Sequence, residues 1–399
     1  MMQGLIGGWP MVNVTLGLTI LAGLIWLGLL TLWGQFWRAD QRLDPNQPPP
    51  ALWPRVTVVI PARNEAPLIG TALRSHFTQT YPGDLSIVLV DDQSTDGTAA
   101  IAQSTVASLG HSEKLTLLSG APLPVGWAGK LWALDQGFRH LQQQPNPPDY
   151  VLFTDADIEH GVATLQQLVT QAETYQLDLV SLMEQLRCQS FWERLLIPAF
   201  VFFFQMLYPF PWVNQPEKST AAAAGGCALI RFSALERIDG LRAIKDALID
   251  DCALGAVVKA GGSIWLGLST TTHSLRPYPD LRSIWNMITR SAYTQLNYSP
   301  GLLVGTILGM GLTYLVSPLG VMLGLLWGQM LLVLVGLGGW LLMAVAYWPT
   351  VQLYRGNWLW TLALPLIAVL YTLMTVDSAR RHWQGQGGAW KGRVYSDMG

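Results

Sequence analysis

From Ser291 to Tyr354 the chain carries no charged side chain, and a second such run extends from Val12 to Trp33. A segment of about 20 apolar residues at helical rise crosses the hydrocarbon of a bilayer, so these runs dictate membrane helices. The first run supplies one span. The second holds two, roughly 301–325 and 328–346, and 356–376 beyond Arg355 supplies a further candidate. A cleaved leader is the alternative for Val12–Trp33, but no basic residue precedes it and no small-residue cleavage site follows. Between these runs lie nearly all the acidic groups, which places one polar domain between two membrane regions.

Composition agrees. Only 13% of the 399 residues are charged, about half the usual fraction for a soluble protein, and the 18 Trp suit a chain with much interfacial surface. A net charge of −2 excludes a nucleic-acid partner, which requires a basic face. Three cysteines, with no CxxC, make neither a disulfide framework nor a zinc site. The expected division is an anchor over 1–47, a catalytic-type α/β domain over 48–290, a transmembrane region over 291–379 and a basic tail over 380–399.

Basic residues set the orientation. Arg38 and Arg42 follow the first span and nothing charged precedes it, which places the central domain in the cytoplasm of a multi-pass cell-membrane protein. Arg380, Arg381, Lys391 and Arg393 place the tail there too. Three spans after the domain put that tail outside, so the two expectations conflict. Either one apolar segment lies in the interface or a further helix break exists.

Pro48-Pro49-Pro50 is a stiff lead-in to the central domain. Arg55–Ile60, Ser86–Val90 and Tyr150–Phe153 are apolar, β-rich runs of buried-strand character. Helical patterns at Ala66–Phe77, Gly97–Leu109 and Val162–Tyr175 fill the gaps, an alternation that predicts an α/β sheet. Each strand releases polar residues at its carboxyl end: Pro61-Ala62-Arg63-Asn64-Glu65, Asp91-Asp92-Gln93-Ser94-Thr95-Asp96-Gly97 and Thr154-Asp155-Ala156-Asp157. In open α/β sheets that edge is where ligands bind.

Asp155 and Asp157 could form a turn, but oxygen ligands on a strand-end loop also suit Mg²⁺ or Mn²⁺ held against a diphosphate. Asp91 and Asp92 fit an Asx-turn that presents both to a nucleotide, with Asp96 capping the following helix.

These motifs resemble the family 2 glycosyltransferases of the GT-A fold, whose nucleotide-sugar-binding domain is a Rossmann-like mixed sheet. The match is carried by Val59–Glu65, Val90–Thr98, Gly129-Lys130-Leu131-Trp132-Ala133-Leu134, Asp155–Asp157 and Asp250-Asp251-Cys252-Ala253-Leu254, in the family's order. The resemblance implies that Pro61, Arg63 and Glu65 line the nucleotide pocket, with Asp91 and Asp92 at base or ribose. It implies Lys130 facing diphosphate, Asp157 with Asp155 holding the metal, and Asp251 as catalytic base beside Asp250. The competing reading of that last pair is N-capping of helix 252–259 by Asp250. The Gln/Arg-x-x-Arg-Trp motif of processive synthases is reduced to Met287-Ile288-Thr289-Arg290-Ser291, leaving Arg290 as a further donor contact or a plain juxtamembrane arginine.

Thr220–Leu229, Leu248–Leu254, Ser274-Leu275-Arg276-Pro277-Tyr278, Thr294-Gln295-Leu296 and Trp390-Lys391-Gly392-Arg393 further resemble the hopene-associated glycosyltransferases. More distantly the chain is similar to ceramide glucosyltransferases. The implied activity is inverting transfer from a nucleotide-sugar, UDP-linked by preference, to a membrane lipid of hopanoid or isoprenoid type. A polyprenyl-phosphate acceptor and a non-enzymatic transporter or scaffold are the alternatives. The charge-free, aromatic-rich stretch Leu195–Pro216 contains Pro198, Pro209 and Pro211, which should break it. It is expected to lie in the interface as an acceptor path, the alternative being a core helix.

Overall fold

The computed structural model describes residues 9–386 and the backbone of 389, 390, 393 and 394. Lys391, Gly392 and seven further residues of the expected basic tail lie outside the described residues. The chain divides into an α/β unit, Asp40–Arg187 with Phe210–Pro277, and a helical unit, Met1–Ala39 with Cys188–Pro209 and Tyr278–Gln386. Residues 188–209 and 278–290, inside the segment expected to be one α/β domain, therefore fold with the helical unit.

An eight-stranded sheet forms the α/β unit: β1 Val56–Ala62, β2 Leu85–Asp91, β3 Leu115–Ser119, β4 Tyr150–Phe153, β5 Ile158–Glu159, β6 Leu179–Gln185, β7 Ala228–Arg231 and β8 Ile264–Ser274. Their spatial order is β3-β2-β1-β4-β7-β6-β8-β5. The pairs among β3, β2, β1 and β4 are parallel, whereas β7 runs antiparallel to both β4 and β6. Parallel neighbours require crossovers, supplied by helices Ala66–Phe77, Thr98–Ser108 and Gly129–Gln142. Such strands are covered on both faces, which is why β1 is buried at all seven positions and reads as an unbroken apolar run. Val58, Ile60, Ile87, Leu89 and Leu152 join Ile69 and Leu73 of the first helix in one core.

After β3 the chain returns past β2 and β1 to place β4 on the other side of β1. That reversal opens a crevice at the carboxyl ends of β1 and β4. The β1–β4 ladder stops at Val59 and Phe153, so Pro61, which has no N–H, lies beyond its end.

Four helices in the helical unit are long and apolar enough to cross a membrane: Pro10–Leu32, Pro300–Leu326, Met330–Leu353 and Trp358–Trp383. The third of these expected segments thus runs on to Leu353. A π-helical turn, Gly311–Leu315, interrupts the second, and the Trp26 indole donates to the Thr313 carbonyl at 2.7 Å. Helix Leu281–Thr289 docks on the last of these four helices through polar groups: Trp285 donates to Asp377 at 2.9 Å, and Ser378 to the Thr289 carbonyl at 2.6 Å.

The Leu195–Pro216 stretch departs from expectation. Helix Phe191–Leu207 continues through Pro198 and ends before Pro209. Burial of Leu195, Leu196, Ala199 and Phe202 offsets the roughly 3 kcal/mol that an interior proline costs. Phe203 packs edge-on to Tyr371 at 4.9 Å between ring centres, so this face belongs to the helical unit's own core.

Candidate active site

Two strand ends build one side of the crevice. β1 ends in Arg63, Asn64 and Glu65, and Asn64 takes the left-handed conformation with φ 51°. That turn is locked to the end of β2: Asn64 N–H donates to Ser94 Oγ at 3.0 Å, and Thr95 N–H donates to Asn64 Oδ1 at 2.8 Å. Gln93 is also left-handed, φ 56°, an unusual state for its residue type that tends to persist where surrounding contacts hold it. Asp91 Oδ1 accepts from Ser94 N–H at 3.1 Å, the Asx-turn the sequence suggested.

Asp96 caps more than expected. Its Oδ1 accepts from Thr98 N–H at 3.1 Å and its Oδ2 from Ala66 N–H at 3.0 Å, so one carboxylate serves the first turns of two helices. Two arriving donors, joined by the Thr98 hydroxyl, outweigh slight burial and lower its pKa. Asp92 is fully buried beside Arg63, whose guanidinium lies 3.7 Å from Asp92 Oδ2 and donates to the Asp92 carbonyl at 2.6 Å. The fold therefore presents Asp91 and Arg63 toward solvent and keeps the Asp92 side chain behind them.

The other side gathers charge. Lys130 stands in the first turn of helix Gly129–Gln142, 2.7 Å from Asp155 Oδ1 and 3.6 Å from Asp250 Oδ2. Burial depresses the Lys130 pKa, but Asp155, Asp250 and Asp251 outweigh it and the ammonium is held charged. Asp155 shifts upward, first through burial and then through the charge of Asp157, against the pull of Lys130. Asp157 pairs with Arg276, Nε to Oδ2 at 2.7 Å.

Asp250 and Asp251 occupy the first turn of helix Asp250–Lys259, where carboxylates meet the positive end of the helix dipole. Ile249, not Asp250, stands at the N-cap, and its side chain makes no capping bond. Capping by Asp250 is thus corrected: its carboxylate turns to Lys130 instead. Asp251 accepts from Gly225 N–H at 3.0 Å and from Cys252 N–H at 2.8 Å. Burial, then the charge of Asp250, push its pKa up to about 6.

Three members escaped the sequence reading. Arg276 appeared only inside a longer motif. Glu184 ends β6, where its carboxylate is enclosed and its pKa is pushed up to about 8 by burial and then by Asp155, Asp157 and Asp251. The rule that strand ends release functional groups would have found it. Gly226 is the third, since a Cβ there would sit 2.6 Å from the Glu184 carboxyl carbon. Its carbonyl accepts from Thr154 Oγ1 at 2.7 Å, and Thr154 also meets His160 Nε2 at 2.9 Å, which ties the β4 end to the Gly225 loop. Arg290, by contrast, is the exposed C-cap of helix Leu281–Thr289 in the helical unit and is not among the residues the α/β unit gathers.

A switch-point crevice lined by paired carboxylates, a half-buried ammonium and a carboxylate at a helix start is the candidate site of the α/β unit. Residues 57–239 match the family described as Glycosyl transferase family 2, and this segment is a family 2 domain. The chain is 34% identical over 103 residues to 4,4'-diaponeurosporenoate glycosyltransferase of Staphylococcus aureus (strain MRSA252), a match covering 26% of this chain and 24% of that protein. The match thus spans about a quarter of that relative's length. Among solved structures, the mannosyltransferase PcManGT from Pyrobaculum calidifontis, in complex with GDP-Man and Mn²⁺, shares 20% identity at a TM-score of 0.55. That alignment covers 92% of this chain and 99% of that one and shows the shared fold.

Proposed function

We propose that the chain is a membrane-bound, inverting glycosyltransferase that moves a sugar from a nucleotide-sugar to a lipid of hopanoid or isoprenoid type on the cytoplasmic side. The observation that carries the reading is Asp251, fixed by Gly225 N–H and sharing Lys130 with the Asp155 strand end. The relative's isoprenoid-acid name and the four candidate spans favour a lipid acceptor. Arg38 and Arg42 favour the cytoplasmic side.

The site suits a divalent cation. Glu65, Asp155, Asp157, Glu184, Asp250 and Asp251 lie around Lys130 and Arg276 and outnumber them in charge, although among the described residues no three acidic, histidine or cysteine side chains already converge on one metal position, so a cation would take further oxygens from the diphosphate. Asp155 and Asp157 would hold Mg²⁺ or Mn²⁺, which when bound supplies positive charge to a departing diphosphate. Lys130 adds a second positive charge from the same side. Asp251 takes the proton of the acceptor hydroxyl as its oxygen bonds to the anomeric carbon, and the bond from that carbon to the diphosphate breaks. Attack opposite the leaving group inverts the anomeric centre. Pro61, Arg63, Glu65 and Asp91 line the nucleotide end, with Asp92 supporting Arg63 from behind.

Mass spectrometry of lipids made by the purified protein from a panel of UDP- and GDP-sugars tests this. A hexose added to a hopanoid or isoprenoid lipid is expected. A polyprenyl-phosphate product would move the reading to that acceptor, and transfer to water-soluble acceptors alone would sink it.

A further inference from the structure

Arg276 is placed by pairing, not by proximity in sequence. β5 and β8 run antiparallel with Ile158 opposite Ser274, and Leu275 N–H donates to the Asp157 carbonyl at 2.8 Å. Asp157 just before β5 and Arg276 just after β8 are thereby set side by side. The guanidinium donates from Nε to Asp157 and from Nη2 to Glu65, each at 2.7 Å, and both carboxylates are only 9% exposed. One cation thus spans the nucleotide-side acid of β1 and the metal-side acid of the β4 end.

We propose that Arg276 couples metal binding to nucleotide binding. It holds Asp157 and Glu65 together, opposes a divalent cation that arrives alone, and turns to the diphosphate when cation and nucleotide arrive together. The inference rests on the metal and donor reading given above. Its physical basis is that a guanidinium and a divalent ion sharing one carboxylate repel each other. Even at the dielectric of water this is worth about tenfold in affinity. A diphosphate placed against both reverses the sign, because a planar arginine fork matches phosphate oxygens. Metal and nucleotide then bind with positive coupling, each tightening the other by the same factor.

The test is Mn²⁺ titration of the purified full chain in detergent, read by the electron paramagnetic resonance of free Mn²⁺, alone and with UDP or GDP. Asp157→Asn identifies signal from other sites. Wild type is expected to bind Mn²⁺ about tenfold or more tightly once nucleoside diphosphate is present. Arg276→Ala should tighten Mn²⁺ binding alone by about tenfold, weaken nucleotide binding and remove most of the coupling. Arg276→Lys, which keeps the charge and loses the fork, should still oppose lone Mn²⁺ while weakening nucleotide. It also serves if the alanine variant fails to fold. Mn²⁺ affinity and coupling within twofold of wild type in both variants would overturn the inference. So would weakening of Mn²⁺ and nucleotide together, the signature of a mere stitch between strand ends. Absence of Mn²⁺ binding to wild type even with UDP or GDP would overturn the metal reading along with it.

Discussion

The N–H of Gly225 donates to Oδ2 of Asp251 at 3.0 Å. With Cys252 N–H on Oδ1, this fixes the carboxylate in one plane at the start of its helix. Asp250 has no such hold and faces Lys130. Asp251→Asn keeps size and cannot take a proton, so kcat should fall by roughly two to four orders of magnitude with donor affinity near wild type. Single-turnover transfer at saturating donor reads this, and an active Asp251→Asn enzyme with a dead Asp250→Asn enzyme would reverse the assignment.

The pH profile follows from the same carboxylate. Its pKa is raised, to about 6, because burial and the neighbouring charge of Asp250 disfavour ionisation. A base must be ionised, so kcat should be level above that pH and fall about tenfold per unit below it. Asp250→Asn removes a like charge, lowers the Asp251 pKa and should carry the acid limb to lower pH. An acid limb that stays in place in Asp250→Asn would show that another group titrates.

Activity should require a divalent cation. Excess EDTA is expected to abolish transfer, Mn²⁺ or Mg²⁺ to restore it, and Asp157→Asn to prevent that recovery. Undiminished transfer in chelator would remove the metal from the mechanism.

Asp92→Ala should lower both stability and nucleotide affinity. The carboxylate is fully buried against Arg63, and removing one member of such a pair costs roughly 3 kcal/mol. Thermal melting without ligand and UDP or GDP titration measure the two effects. An unchanged melt would mean that Arg63 is held without it.

Gly255→Ala should impair the base without touching the nucleotide pocket. An alanine normally favours a helix over glycine by about 1 kcal/mol. Here the new Cβ would lie 2.8 Å from the Ala222 carbonyl carbon and 3.0 Å from its oxygen, backbone atoms that cannot swing aside. Overpacking of this kind costs about 1–3 kcal/mol and would shift the Asp251 helix against the Gly225 loop. A lower melting temperature and lower kcat are expected, with UDP or GDP affinity held. A gain in stability would show that the loop yields.

Much of this was written locally. Apolar runs of strand length, each ending in a polar turn, placed β1, β2 and β4 to within a residue or two, because buried parallel strands exclude charge along their whole length. Charge-free segments located the helices long and apolar enough to cross a membrane, since hydrocarbon tolerates little else. Other features depended on which distant segments meet. Arg276 lies 119 residues from Asp157 and 211 from Glu65, and only the β5–β8 register makes them partners. Asp91 and Asp92 are indistinguishable in sequence, and the backbone turn alone decides that the second is buried behind Arg63. Asp250 was a reasonable cap until the fold put a half-buried ammonium within its reach. Composition and periodicity fix what a segment can bury by itself. Which carboxylate meets which cation is set by strand order and helix docking, where the low-dielectric interior makes each pairing costly to leave unmade.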